Sequence, residues 1–102
     1  MEDFRPTGMF LGMYNLLYTA EAKKQIQKFS AAIRIQLKEA IEKIALDPNI
    51  GKSLTQELSG FMSFRSGDYR ILYKIRRQEL LVLIITVGHR KDIYQKAARK
   101  LS

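Results

Sequence analysis

Apolar residues recur with two different periods along this chain. Through the first half they return at steps of three and four residues, which is the spacing of one face of an α-helix. This stripe consists of Ile26, Phe29, Ile33, Leu37, Ala40, Ile41 and Ile44. It predicts helices over residues 20–29 and 31–46, with Thr19 as the N-cap of the first. Asp47-Pro48 should end the second, because proline disfavours the helical conformation in the residue before it.

The second period is the alternation typical of β-strands, and it occurs in four short segments. Predicted strands cover residues 13–18, 61–65, 69–76 and 80–87. The turns between the last three strands, SGD and RQE, are short, and short turns join antiparallel neighbours. We therefore expect an α+β fold in which two N-terminal helices pack on a four-stranded antiparallel sheet. The tail over residues 92–101 is predicted to be a short basic C-terminal helix or a frayed end.

Alternation along the strand over residues 69–76 sorts its side chains onto two faces of the sheet. One face carries Tyr69, Ile71, Tyr73 and Ile75, and the other carries Arg70, Leu72, Lys74 and Arg76. The tyrosine and isoleucine face should meet the helical stripe, so the basic side chains project from the opposite, open face. The last strand, LLVLIITV, is apolar at nearly every position and should lie centrally. VGHRKDIY begins as that strand ends, so its polar residues should lie at the edge of the open face.

The length of 102 residues fits one domain. We expect residues 1–12, with Pro6, Gly8 and Gly12, to be a flexible leader or start-site extension before a single domain over residues 13–102. The chain has no cysteine, which excludes disulfides and thiolate metal sites, and we expect neither a metal nor a cofactor. It has no secretory signal and no apolar run of about 18 residues, so the predicted compartment is the cytoplasm, with no membrane partner.

Positive charge is concentrated in the last third of the chain. The formal net charge is +8, and residues 65–102 hold ten Lys/Arg against three Asp/Glu, a net +7. Clustered positive charge attracts polyanions, so this asymmetry suggests a nucleic acid or an acidic protein as partner. The alternative is a solvated basic face without a specific partner.

Arginine and tyrosine on an open face suit cleavage of RNA without a metal ion. That reaction needs a proton acceptor for the ribose 2'-hydroxyl, stabilisation of the phosphorane charge and a proton donor for the leaving 5'-oxygen. Arginine can pair with two phosphate oxygens at once, and tyrosine can stack on a base or transfer a proton. Candidate catalytic residues are Arg70, Arg90, Tyr94 and His89, and candidate RNA-binding or phosphate-binding residues are Arg65, Lys74, Arg76 and Lys91. Alternatively, the arginines are surface charges, the tyrosine fills a gap at the surface, and the histidine caps the end of the sheet.

Four segments together resemble the RelE/ParE toxin family of bacterial and archaeal toxin-antitoxin systems: YNLLYTAEAKKQIQKF, DPNIGKSL, GFMSFRSGDYRILY and VLIITVGHRKDIY. The resemblance implies the α+β fold described above and, for RelE-like members, metal-independent cleavage of mRNA in the ribosomal A site. By the same resemblance, Arg70 would stabilise the phosphorane, and Arg90 would support the leaving group or the phosphate. Tyr94 would stack on the mRNA base or assist proton transfer.

Two features depart from the RelE-like pattern. The resemblance implies two lysines on the strand before the tyrosine-arginine motif, where this chain has Phe61 and Ser63, and the segment from Arg90 to Tyr94 is shorter. The favoured interpretation is a ribosome-dependent mRNA endoribonuclease toxin that inhibits translation and is neutralised by an acidic cognate antitoxin. The alternatives are a ParE-like inhibitor of DNA gyrase without nuclease activity, and a member that only binds its antitoxin.

Overall fold

Helices and strands occupy most of residues 13–95, which are the residues that the structure, a computed structural model, describes. The helices are α1 (Ala20–Lys28) and α2 (Ala31–Leu46), with short 3-10 turns at Pro48–Ile50 and Gln56–Leu58. The strands are β1 (Asn15–Tyr18), β2 (Lys52–Ser53), β3 (Met62–Ser66), β4 (Tyr69–Arg76) and β5 (Leu81–His89). Residues 93–95 are helical, which agrees with the predicted C-terminal helix as far as the described residues reach. The predicted leader over residues 1–12 and the rest of the tail lie outside the described residues.

Both helices begin at the side-chain caps that satisfy their first amide groups. The Thr19 hydroxyl accepts a hydrogen bond from the Ala22 amide at 3.0 Å, and the Ser30 hydroxyl accepts one from the Ile33 amide at 3.3 Å. Ser30 therefore separates α1 from α2, because its extended backbone starts a new helix. Pro48 follows α2 at the predicted boundary.

The sheet has five strands in the order β1-β5-β4-β3-β2 and is mixed, which corrects the predicted four-stranded antiparallel sheet. β1 pairs with β5 in parallel, while the other neighbours are antiparallel. The parallel pairing is possible because α1 and α2 carry the chain to the far edge of the sheet, from which β2, β3 and β4 lead back to β5. β2 was not among the predicted strands, because two residues are too few to produce an alternating pattern.

One face of the sheet packs against α2 to form the main core. The buried side chains of this core come from both helices and from β1, β4 and β5: Leu16, Ala22, Leu37, Ala40, Ile41, Ile44, Ala45, Ile71, Tyr73, Val82, Ile84 and Val87. The predicted orientation of β4 is confirmed, because Ile71 and Tyr73 lie in this core and Leu72 does not. Within residues 13–95, none of the helices is long and apolar enough to span a membrane.

α1 covers the edge of β5 that extends beyond β1. The register between β4 and β5 shifts at a bulge, where Leu72 pairs with Thr86 and Tyr73 pairs with Ile84. Beyond the bulge the Gln25 side chain accepts hydrogen bonds from the Val87 amide at 2.8 Å and from the Thr86 hydroxyl at 3.0 Å. The Gln25 side chain thus accepts the hydrogen bond that a further strand would accept from the Val87 amide, and this protects the edge from pairing with other chains.

Candidate functional site

A pair of arginines marks the face of the sheet opposite the main core. Arg65 on β3 and Arg70 on β4 are direct cross-strand partners. Their strand neighbours Phe64 and Ile71 turn toward the main core, so alternation turns both arginines to the other face. Two like charges directly opposite each other destabilise a sheet, and a bound anion would offset that cost.

A small second core covers part of this face, which sequence reasoning treated as open. Leu58, Leu72 and Ile93 are buried together there, with Leu54 packed against them. Ile93 enters from the turn after β5 and lies close to Gly88, where an added Cβ would stand 3.0 Å from its Cδ1 atom. The chain after β5 therefore folds back over β4 instead of leaving the sheet, and it brings Tyr94 with it.

Tyr94 is attached to β3 through its hydroxyl group. The oxygens of the Tyr94 and Ser63 hydroxyls are 2.8 Å apart. Ser63 pairs with Leu72 across the strands, and the next pair on this face is Arg65 with Arg70. Residues two apart on a strand are separated by about 7 Å, so the phenol is attached one residue pair away from the backbone of the paired arginines, on the same face. In the sequence, Ser63 stands out only as a position without lysine, although alternation already puts it on the face of Arg65.

Arg70 and Arg90 both contact the turn between β3 and β4. The Arg70 guanidinium donates to the carbonyl oxygens of Gly67 at 3.2 Å and Tyr69 at 3.0 Å. The Arg90 side chain lies 3.6 Å from the Asp68 carboxylate, and its backbone amide donates to the Asp68 carbonyl at 2.8 Å. Gly67 has a φ of +61°, a conformation that glycine adopts without steric cost. The two guanidinium groups are thus brought to one end of the face.

His89 is not brought together with these groups. It pairs with Tyr69 across the strands, and the two rings meet edge to face with centroids 5.9 Å apart. Tyr69 in turn packs edge to face on Phe29 at 5.1 Å, beside the main core. The histidine Nδ1 accepts a hydrogen bond from the Lys91 amide at 3.2 Å. This arrangement fits the role of capping the end of the sheet.

The four predicted phosphate-binding residues occupy different parts of the basic surface. Arg65 stands beside Arg70, and Lys91 is exposed in the turn after β5. Lys74 lies farther along β4, with its ammonium 4.8 Å above the ring of the buried Phe61. Arg76 is exposed at the far end of β4, about 20 Å from Arg70 along the strand. The basic face therefore extends along the whole of β4.

Residues 13–95, which the structure describes, contain no group of three or more His, Cys, Asp or Glu side chains that could hold a metal ion. This face carries the guanidinium groups of Arg65 and Arg70 and the phenol of Tyr94, and Arg90 lies at the adjoining turn between β3 and β4. Such a set can bind a phosphodiester, stabilise added negative charge on it, and stack on or donate to a neighbouring group.

Sequence comparisons match nearly the whole described region. Residues 16–94 fit the sequence profile described as ParE toxin of type II toxin-antitoxin system, parDE. Toxin RelG of Mycobacterium tuberculosis is 35% identical over 85 residues, which are 81% of this chain and 98% of RelG. The mRNA interferase toxin RelE of Escherichia coli K12 is 25% identical over 92 residues, which are 86% of this chain and 97% of RelE.

Solved structures share the architecture. The toxin-antitoxin complex RelBE2 from Mycobacterium tuberculosis contains a chain that matches with a TM-score of 0.74 and 31% identity, over 83% of this chain and 100% of that one. The isolated Escherichia coli RelE toxin matches with a TM-score of 0.64 and 22% identity, over 88% of this chain and 99% of that one. The second similarity concerns the fold alone.

Proposed function

Since this chain belongs to the RelE/ParE family of toxins from type II toxin-antitoxin systems, we propose that it is a ribosome-dependent mRNA endoribonuclease that inhibits translation. The observation that carries this proposal is the Tyr94 phenol bonded to Ser63, on the sheet face that carries the neighbouring cross-strand pair of Arg65 and Arg70. A relative with 25% identity over nearly its whole length is named an mRNA interferase, which supports the same activity.

The proposed reaction is attack of the ribose 2'-hydroxyl on the adjacent phosphorus, with departure of the 5'-oxygen. The hydroxyl loses a proton as the new bond forms, and the leaving oxygen gains one as the old bond breaks. Arg70 would stabilise the phosphorane, and Arg90 would bind the phosphate or support the leaving group. A phosphate would compete with the turn between β3 and β4 for both arginines, because its oxygens can accept two charge-assisted hydrogen bonds from each guanidinium group.

Tyr94 would stack on the base next to the cleaved bond or assist proton transfer. Phe61 and Ser63 cannot act as lysines would, so we expect catalysis to depend on the ribosome to align the reacting groups. We assign His89 no role in the reaction, because its ring lies against Tyr69 and not beside Tyr94. Arg65 and Lys91 would bind phosphates near the cleaved bond, and Lys74 and Arg76 would bind them farther along the strand.

The partner of the toxin would be a cognate antitoxin of acidic character. Several structural neighbours are complexes of a toxin with its antitoxin, and the net charge of +8 favours an acidic binding partner. Ribosomes and mRNA would be met in the cytoplasm.

A second candidate function is inhibition of DNA gyrase by protein binding, without nuclease activity. Two observations favour it. The matching family profile is that of the parDE toxin, and the positions of the two lysines that the RelE-like resemblance implies are Phe61 and Ser63.

One experiment separates these functions. Purified protein is incubated with programmed ribosomes and, separately, with gyrase and relaxed DNA, using wild type and the variants Arg70→Ala, Arg90→Ala and Lys38→Ala. Lys38 is exposed on α2, away from the arginine pair, and serves as the control for lost positive charge. We expect A-site cleavage that falls about a hundredfold in Arg70→Ala and is unchanged in Lys38→Ala. Intact mRNA together with blocked supercoiling would replace the nuclease proposal with the gyrase one.

A further inference from the structure

We propose that Ser63 is a positioning residue that holds the Tyr94 phenol in place for the reaction. This inference rests on the proposed function and deepens it. Ser63 has 7% of its surface exposed, and its hydroxyl oxygen lies 2.8 Å from that of Tyr94. A serine hydroxyl carries no charge at neutral pH, so it adds no phosphate-binding charge of its own and acts through the tyrosine.

The platform for this contact is rigid. β3 is paired on both sides, since Ser63 lies opposite Leu72 on β4 and opposite Lys52 on β2. The Ser63 hydroxyl therefore projects from an interior strand, whose backbone is restrained by hydrogen bonds to β2 and β4. A hydrogen bond from such a site can fix the direction of the group that it holds.

Tyr94, in contrast, follows a turn and has 36% of its surface exposed. Its neighbour Ile93 is 1% exposed and anchors the backbone in the second core. Ile93 thus fixes the backbone next to Tyr94, and Ser63 fixes the Tyr94 hydroxyl. Without the hydrogen bond to Ser63, rotation about the Tyr94 side-chain torsions would carry the phenol away from the arginine pair.

The kinetic test measures single-turnover mRNA cleavage on programmed ribosomes. Ser63→Ala should lower the maximal rate about fivefold, the value of one ordinary hydrogen bond, and leave the half-saturating concentration unchanged. In a Tyr94→Phe background, Ser63→Ala should cause no further loss, because the group that it positions has lost its hydroxyl. Ser63→Thr keeps a hydroxyl and should recover most of the rate.

Ser66→Ala is the matched control, because it removes a buried serine hydroxyl from the same strand on the helix side. Ser66 is 8% exposed and bonds to Gln36 instead of a site residue. It should change stability without changing the rate at saturation. Independent rate losses in Ser63→Ala and Tyr94→Phe, which multiply in the double variant, would overturn the positioning role.

Fluorine NMR of protein labelled with fluorotyrosine gives a readout that does not require cleavage. The chain has 5 tyrosines, and Tyr94→Phe identifies the resonance of interest. Ser63→Ala should shift and broaden that resonance, whereas Ser66→Ala should not. An unchanged resonance in Ser63→Ala would refute the contact. If the wild type does not cleave mRNA, the proposed function fails, and the NMR result alone decides whether Ser63 holds Tyr94.

Discussion

Tyr73 and Tyr94 both have hydrogen-bonded hydroxyls, but they differ in burial. Tyr73 is 0% exposed; its hydroxyl donates to the Pro48 carbonyl at 2.6 Å and accepts from the Gly51 amide at 3.2 Å. Burial, together with the nearby Asp47 carboxylate, raises the pKa of Tyr73 to about 12, although the hydrogen bond from Gly51 acts in the opposite direction. This tyrosine stays protonated at neutral pH and ties the connection after α2 to the sheet.

Tyr73→Phe should destabilise the fold by about 1–3 kcal/mol, because it leaves a buried carbonyl and an amide without their partner. The raised pKa of Tyr73 adds a pH signature. The unfolded state loses the phenol proton near pH 10.0 and the folded state near pH 12, so wild-type stability should fall as pH rises between these values.

Urea unfolding at neutral pH and at alkaline pH measures both effects. Tyr69→Phe is the control, because it keeps the ring contact with Phe29 at the edge of the core. In Tyr73→Phe the alkaline loss of stability should be smaller than in the control. An equal alkaline loss in both variants would assign the effect to other groups.

At the scale of elements, the end of β5 determines where the site tyrosine lies. Gly88 pairs with Arg70 on β4, and its missing side chain leaves space for Ile93. The turn after β5 can then fold back onto Leu72 and bury Ile93 in the second core. The same turn brings the backbone amide of Arg90 to Asp68. One close approach at a glycine therefore supports both Arg90 and Tyr94.

Gly88→Ala should push Ile93 away and lower the cleavage rate severalfold through displacement of Tyr94. Its new Cβ would meet the Ile93 Cδ1 atom at 3.0 Å, which is tighter than ordinary van der Waals contact. Ile93→Val removes that atom and should act as a partial suppressor. The double variant should be more active than the product of the two single effects predicts.

Thermal unfolding and single-turnover cleavage of the four proteins, wild type, both single variants and the double variant, check this coupling. If the rate losses of Gly88→Ala and Ile93→Val simply multiply in the double variant, Gly88 is not needed for the close approach of Ile93.

At the scale of the whole molecule, charge and topology divide the protein into two sides. α1 and α2 lie with the main core, and the opposite side of the sheet carries the basic residues of β3, β4 and the turn after β5. α1 also closes the free edge of β5 through Gln25. The face of the sheet that the helices leave uncovered is the basic one, which suits a polyanion that lies along the strands.

Arg65→Ala should weaken binding of single-stranded RNA and reduce the slope of log affinity against log salt by about 0.7, the contribution of one phosphate contact. Lys38→Ala removes one positive charge from the helical side and should leave the slope unchanged. Arg76→Ala should reduce the slope only if the RNA extends along β4. Titrations at several salt concentrations measure these slopes. Equal reductions in Arg65→Ala and Lys38→Ala would favour a solvated basic face without a defined path.

Local patterns determined much of this protein in advance. The three- and four-residue period located α1 and α2, Pro48 marked the end of α2, and Gly67 marked the turn before β4. Alternation turned Arg70 away from the core. These features depend on residues a few positions apart in the chain, so the amino-acid sequence is sufficient to predict them.

Only the tertiary structure decided which distant segments meet. It paired β1 with β5 in parallel, added β2, and inserted the bulge opposite Leu72. It also turned His89 toward Tyr69 and joined Tyr94 to Ser63. A strand pattern does not specify its partner, and a side-chain contact across 31 positions depends on how the chain folds back over the sheet. The basic, arginine-bearing face was thus set by the sequence alone, whereas the position of its phenol was set by the fold.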